Sequence, residues 1–310
     1  MASFKIIGGK ELSGTVNPQG AKNEALQVIS ATLLTNEQII IKNIPLISDV
    51  ICLIELLKGL GVKVIKISKN TYSFEAKDIK LEYFESVDFQ KKTQKIRGSV
   101  MILGPLITRF GKARLYPPGG DKIGRRRLDT HLIGLSELGV KFKLVDHAFY
   151  KLDGRHLKAN HILLEEASVT GTANIIMSAV LIKGTTTIYN AACEPYIQQL
   201  CKMLTLMGAH IIGIGSNLIT IKGVKNLHGC NHTILPDMIE IGSWIGLAAM
   251  TQSKIRIQNA SVKNLGNILN TFKKIGIKII EEGDDIIIPK QRGYNIDTFI
   301  NGSILTISDA

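Results

Sequence analysis

The densest set of chemically capable side chains lies in the run Pro117-Pro118-Gly119-Gly120-Asp121-Lys122-Ile123-Gly124-Arg125-Arg126-Arg127-Leu128-Asp129. Its prolines and glycines fix a tight exposed loop, and that loop holds a carboxylic acid, Asp121, among four basic side chains. Guanidinium groups take phosphate in bidentate fashion, so the run describes an anion clamp with a proton donor inside it. A basic surface turn is the competing reading. The Walker spacing is absent, so this is not a P-loop. A second stretch, Gly20-Ala21-Lys22-Asn23, sets an ammonium beside the free N–H groups of a helix start, which suits an anion as well as it suits a plain solvated turn. Arg97, just before Gly98, stands amid small and apolar residues and must find an anionic partner or reach solvent.

Other candidates are blander. His228, Cys230 and His232 alternate and would share a strand face. A metal could sit there, but no fourth ligand is evident, and a satisfied cluster explains the spacing as well. Cys193 and Cys201 read as small core residues on a helix. His131 follows the arginine run and either orients a ligand or caps its helix.

A repeat positions these residues. Small-residue-rich apolar helices are expected at residues 20–34, 95–110, 170–182 and 236–250. Each is followed by a strand, at 38–41, 113–116, 186–189 and 254–257, and then by an amphipathic helix ending in Gly61, Gly139, Gly208 or Gly276. These glycines fall 78, 69 and 68 residues apart and suit the left-handed position that stops a helix. In residues 48–60, Val50, Leu53, Ile54, Leu57 and Leu60 form one stripe, with Asp49 favoured in the first turn. Two short strands close each unit, as in Val62, Val64, Ile65 and Ile67 followed by Tyr72 and Phe74. The order gives an α/β fold with mixed sheets.

Composition bounds the class. The chain has 310 residues, 45% of them apolar and 21% charged, enough for two domains with large cores and unlike a disordered chain. Aromatics are 5%, so the cores rest on Ile, Leu and Val. No apolar run reaches the roughly 18 residues of a membrane span, and the N-terminus lacks a signal peptide's apolar stretch. Four cysteines make no disulfide framework. A soluble, reduced, cytoplasmic protein is expected. A net charge of +12 favours anionic partners: nucleic acid, a membrane surface or a phosphorylated metabolite.

Taken in order, Gly20-Ala21-Lys22-Asn23, Arg97-Gly98-Ser99, Leu103-Gly104-Pro105-Leu106 with Arg109-Phe110-Gly111, Pro118-Gly119-Gly120-Asp121-Lys122-Ile123-Gly124, Ala192-Cys193-Glu194-Pro195 and Leu235-Pro236-Asp237-Met238-Ile239-Glu240 make the whole chain resemble the UDP-N-acetylglucosamine 1-carboxyvinyltransferase family, the enolpyruvyl transferases that open peptidoglycan synthesis. The resemblance implies a two-domain inside-out α/β barrel of repeated βαβαββ units, helices inside and sheets outside. It places a complete domain at 22–230 and a partial second domain at 1–21 plus 231–310. It implies that phosphoenolpyruvate is protonated at its methylene carbon, that the 3-hydroxyl of UDP-N-acetylglucosamine adds to C2, and that phosphate leaves. By resemblance Lys22 and Asn23 contact phosphoenolpyruvate, Arg97 and Arg126 hold the anionic substrates, Asp129, Ser168 and Val169 lie along the sugar nucleotide, and the loop acid is Asp121. No metal or organic cofactor, nucleic acid or membrane partner is implied.

Three departures stand out. Many members of the family carry cysteine where this sequence has Asp121, and a carboxyl is a poorer target than a thiolate for the epoxide fosfomycin, so resistance to that drug is expected. Glu166 and Met238 stand where basic residues are common. Residues 299–307 read as a strand opening a further unit, so a fragment of a longer chain is expected, with the family's catalytic base aspartate beyond Ala310 and little or no turnover by these residues alone. The rivals are 5-enolpyruvylshikimate-3-phosphate synthase, of similar architecture and chemistry, and a basic nucleic-acid-binding α/β module. The latter would need stacking aromatics beside its arginines, and only Tyr116 is near.

Overall fold

The computed structural model describes residues 3–120 and 127–296. Contacts divide the chain into two compact units: Lys22–Ile234 forms one, and the flanking segments that end at Ala21 and resume at Leu235 form the other.

The larger unit repeats one pattern. Its first part is α1 (Lys22–Ala31), β2 (Ile39–Lys42), α2 (Ser48–Gly59), β3 (Lys63–Ser68) and β4 (Thr71–Glu75); the label β1 belongs to Ser13–Val16 of the other unit. The second part is α3 (Val87–Lys95), a 3-10 helix (Arg97–Ile102), α4 (Leu103–Phe110), β5 (Lys112–Leu115), α5 (Asp129–Glu137), β6 (Lys141–Val145) and β7 (Phe149–Asp153). The third is β8 (His161–Leu163), α6 (Val169–Ala179), β9 (Thr185–Tyr189), α7 (Pro195–Leu206), β10 (His210–Ile212) and β11 (Leu218–Lys222), and β12 (Asn231–Thr233) closes the unit. The sheets run β12-β2-β4-β3, β5-β7-β6 and β10-β11-β9-β8.

Inner helices explain the composition. Every residue of α1 from Glu24 to Ala31 is buried, and so is every residue of α6 from Gly171 to Ala179. Helices wrapped on all sides must be apolar and small enough to approach one another. Gly104 of α4 shows this, because a β-carbon there would collide with the Asn174 carbonyl of α6. The stop glycines behave as their position demands: Gly61, Gly139, Gly208 and Gly276 have φ of 95°, 93°, 100° and 87°, conformations that side chains resist.

One expected helix is different. Residues 95–110 form three pieces, because Ile96 is extended (φ −127°, ψ 141°) and separates α3 from the 3-10 helix. Pro105 falls in the first turn of α4, where its missing N–H costs nothing. The proline therefore sets where α-geometry begins.

The smaller unit contains β1 (Ser13–Val16), α8 (Met238–Met250), β13 (Lys254–Ile257), α9 (Ile268–Lys274), β14 (Ile280–Glu282) and β15 (Asp285–Ile288), in a sheet ordered β1-β13-β15-β14. Its core gathers Ile241, Ile245, Ile255, Ile257, Ile286 and Ile288. Each unit borrows a strand across the sequence: β1 pairs in parallel with β13, and β12 pairs in parallel with β2. That pairing is why the larger unit runs on to Ile234.

Candidate functional site

Four helix beginnings carry the residues singled out above, and local contacts join them within the larger unit. Lys22 and Asn23 open α1, and the Lys22 ammonium lies 2.6 Å from Asp49 Oδ2 in the first turn of α2. The next residue, Glu24, is fully buried and accepts a 2.7 Å hydrogen bond from His232 Nε2 on β12. One helical turn after Lys22, Leu26 packs where a β-carbon on Gly98 would stand, which brings α1 against the 3-10 helix that Arg97 opens.

Arg97 in turn meets the loop. Its Nη2 donates to the Arg127 carbonyl at 3.0 Å. A β-carbon on Gly120 would fall 3.2 Å from Arg97 Cβ, and one on Gly119 would overlap the Gln94 carbonyl, so the glycines let the loop backbone lie flat on residues 94–97. Asp121 and Arg126 lie outside the described residues. On the loop's far side the Arg127 guanidinium pairs with the Asp129 carboxylate, in the first turn of α5 where a negative charge faces the positive end of the dipole.

The starts of α5 and α6 also touch. Ser168 caps α6, its Oγ accepting the Gly171 N–H at 3.2 Å, and Val169 is the first residue of that helix. Gly171 has no side chain because Thr130 Cγ2 occupies the space. A cavity of about 310 Å³ opens beside this contact, lined by Arg127, Asp129, Thr130, Leu163, Glu165 and Glu166 among others. Glu166 therefore sets a carboxylate in the wall that Arg127 shares.

His131 does not cap its helix. It is buried inside α5, with Nε2 2.9 Å from Thr170 Oγ1 and Nδ1 2.9 Å from Asn174 Nδ2. Burial, reinforced by the positive charge of Arg97, pulls its pKa from 6.5 to about 4, so the ring is neutral.

Other candidates resolve into structural roles. Arg109 Nη1 donates to the carbonyls of Leu33, Thr35 and Ala76 at 2.8, 2.9 and 2.8 Å, with its guanidinium over the Phe110 ring. His228 Nδ1 faces Glu37 Oε1 at 3.6 Å while His232 turns inward to Glu24. Among the described residues no three His, Cys, Asp or Glu side chains gather as a metal site. Cys201 is buried in α7, whereas Cys193 sits in the turn before that helix. Sequence reasoning passed over Glu24, Thr170 and Asn174; the available signal was an acid followed by seven uncharged residues in α1 and an amide in α6, a helix without charge, while Thr170 carried none.

No helix among the described residues is long and apolar enough to cross a membrane. A family model described as EPSP synthase (3-phosphoshikimate 1-carboxyvinyltransferase) matches residues 6–305. The UDP-N-acetylglucosamine 1-carboxyvinyltransferase of Bacteroides thetaiotaomicron is 58% identical over 311 residues, covering 100% of this chain and 72% of that protein. The enzyme of the same name from Porphyromonas gingivalis is 56% identical, again over 100% of this chain and 72% of the relative. Among solved structures, the enolpyruvyl transferase NikO from Streptomyces tendae superposes with a TM-score of 0.78 at 20% identity, over 91% of this chain and 66% of that one. EPSP synthase from Acinetobacter baumannii follows at 0.69 and 16%, over the same shares. These two likenesses concern the fold. With a family model spanning nearly all of its length and relatives well above half identical, the chain belongs to the EPSP synthase family of enolpyruvyl transferases, among the UDP-N-acetylglucosamine 1-carboxyvinyltransferases.

Proposed function

We propose that the protein transfers the enolpyruvyl group of phosphoenolpyruvate to the 3-hydroxyl of UDP-N-acetylglucosamine with release of phosphate, the opening step of peptidoglycan synthesis. Identity with enzymes of that name supports the reaction. The observation that carries the site is the chain of contacts linking the starts of α1, the 3-10 helix, α5 and α6, which gathers Lys22, Arg97, Arg127 and two helix dipoles on connected segments.

Each residue then has a task. Lys22 and Asn23 hold phosphoenolpyruvate, with the ammonium exchanging Asp49 for phosphate oxygen. Arg97 and Arg126 neutralise the charge of the anionic substrates and hold them in place. Asp121 delivers a proton to the methylene carbon. Its basic neighbours lower the pKa of such an acid, and bound phosphates together with desolvation raise it, so substrate binding supplies the protonated form. Asp129, Ser168 and Val169 line the sugar nucleotide. The enolpyruvyl donor already carries its activated group, so this chemistry calls on no separate cofactor.

Calorimetric titration of the chain tests the reading. Binding of UDP-N-acetylglucosamine, strengthened by phosphoenolpyruvate, is the expected result. Binding of shikimate 3-phosphate instead, or salt-sensitive binding of RNA with none of the sugar nucleotide, overturns it.

A further inference from the structure

We infer that Thr170 is a further substrate-contacting residue, its hydroxyl proton directed by Asn174 and His131 to an anionic oxygen of the sugar nucleotide's diphosphate. The inference rests on the function proposed above and deepens it.

The argument begins at Asn174, a fully buried amide on α6. Its Oδ1 accepts the Gly104 N–H at 2.9 Å and its Nδ2 donates to the Val100 carbonyl at 2.9 Å. Both backbone partners have fixed polarity, so the amide has one orientation. The second hydrogen on Nδ2 then points at His131 Nδ1, 2.9 Å away. A ring nitrogen receiving a hydrogen bond carries no proton, which places the ring's single proton on Nε2. Nε2–H in turn donates to Thr170 Oγ1 at 2.9 Å. With that lone pair occupied by a donor, the hydroxyl's own proton must go elsewhere. No acceptor for it is found among the described residues, whereas Ser178 and Thr205 donate their hydroxyl protons to the carbonyls of Asn174 and Cys201.

What the proton can meet follows from its surroundings. Thr170 is only half buried and is the second residue of α6. The N–H groups of Gly171 and Thr172 turn to Ser168 Oγ and O, at 3.2 and 2.8 Å, leaving the two amides before them at the positive end of the helix dipole. Arg97 adds positive potential, felt already at His131. A directed O–H in that field suits a negatively charged oxygen, and Ser168 and Val169, the adjoining residues, are those assigned to the nucleotide side. The ring stays neutral because burial holds its pKa near 4, so the tautomer persists through the neutral range. His131 and Asn174 are positioning residues; Thr170 makes the contact.

The test pairs Thr170→Val, which keeps the shape and removes the hydroxyl, with Thr170→Ser, which keeps the hydroxyl. Uridine diphosphate and, separately, phosphoenolpyruvate are titrated into the full chain by calorimetry, and ¹⁵N NMR reads the His131 tautomer. Thr170→Val weakens uridine diphosphate about 10-fold, the loss of one hydrogen bond to a charged group, and leaves phosphoenolpyruvate unchanged. Thr170→Ser binds like the parent, and His131 carries its proton on Nε2. Parent-like nucleotide affinity in Thr170→Val, or a proton on Nδ1, overturns the inference while the proposed function stands. A parent chain that binds no uridine diphosphate overturns both. Should Thr170→Val not fold, Thr170→Ala and the tautomer decide.

Discussion

Glu24 and His232 stand 208 positions apart in sequence and meet at 2.7 Å, the acid wholly buried and the imidazole nearly so. The pair ties the first turn of α1, beside Lys22 and Asn23, to β12, the strand that completes the first sheet. Removing one member strands the other in a low-dielectric core, which costs about 3–5 kcal/mol. Glu24→Ala is therefore expected to lower the unfolding free energy by that order in a urea titration, whereas Glu24→Gln, which still accepts from Nε2, loses less. Equal losses in the two variants would show that the hydrogen bond is not what matters.

The neutral ring of His131 makes stability depend on pH. Below 6.5 the unfolded chain takes up a proton that the folded chain refuses until about 4. Stability is therefore complete above 6.5 and declines as pH falls through that window, by about 3 kcal/mol for this group. NMR titration should find the ring still unprotonated at pH 5. A midpoint near 6.5 in the folded protein contradicts the prediction.

Arg109 closes the other end of α4 from the 3-10 helix, and its three carbonyl partners come from two separate segments. Truncation to Ala leaves those oxygens unpaired, each a cost of about 1–3 kcal/mol where water cannot replace the donor. Arg109→Ala should lose roughly 2–4 kcal/mol in chemical denaturation while uridine diphosphate affinity stays within a factor of two. A drop in nucleotide affinity at unchanged stability would contradict this structural role for Arg109.

Two glycine substitutions should move in opposite directions. Gly119→Ala drives a β-carbon into the Gln94 carbonyl, so calorimetry should show a lower Tm. Gly246 lies inside α8 with nothing within 4 Å of where its β-carbon would be. Alanine there removes backbone freedom from the unfolded chain and should add about 0.5–1 kcal/mol to the smaller unit.

The acid at position 121 predicts its own chemistry. Incubated with fosfomycin, the parent chain should gain no mass, and Asp121→Cys should gain one adduct. The background is favourable, because burial pushes the thiols of Cys201 and Cys230 up to about 12 and about 11, far from the thiolate form that reacts. An adduct on the parent, mapped to Asp121, would refute the expected resistance.

Local rules were enough to read the repeat: a stop glycine needs positive φ, and a helix buried on every side needs small and apolar residues. Both constraints act within one turn of the chain and leave marks at fixed spacing, as at Gly61 and Gly139. The break at Ile96 was hidden because its neighbours Gln94, Lys95 and Arg97 are all residues a helix tolerates, and the proline nine positions on marks the later start of α4. Glu24 and His232 were illegible for another reason. Each looks like an ordinary polar residue until β12 is known to lie on β2, and that pairing has no local signature. Thr170 resembled any helix-opening threonine; its meaning comes from a proton fixed two residues away in space.

The borrowed strands govern the order in which a ribosome-bound chain can mature. β1 emerges early, yet its partner β13 appears only after the whole larger unit has been made, and Leu12 finds Ser253 across 241 positions. β2 likewise waits for β12, while the β8–β11 sheet can assemble from neighbouring segments as soon as they are out. Late-closing pairings of this kind are slow and leave unpaired edges exposed, so nascent chains stalled short of β12 should be the ones most readily captured by holdase chaperones.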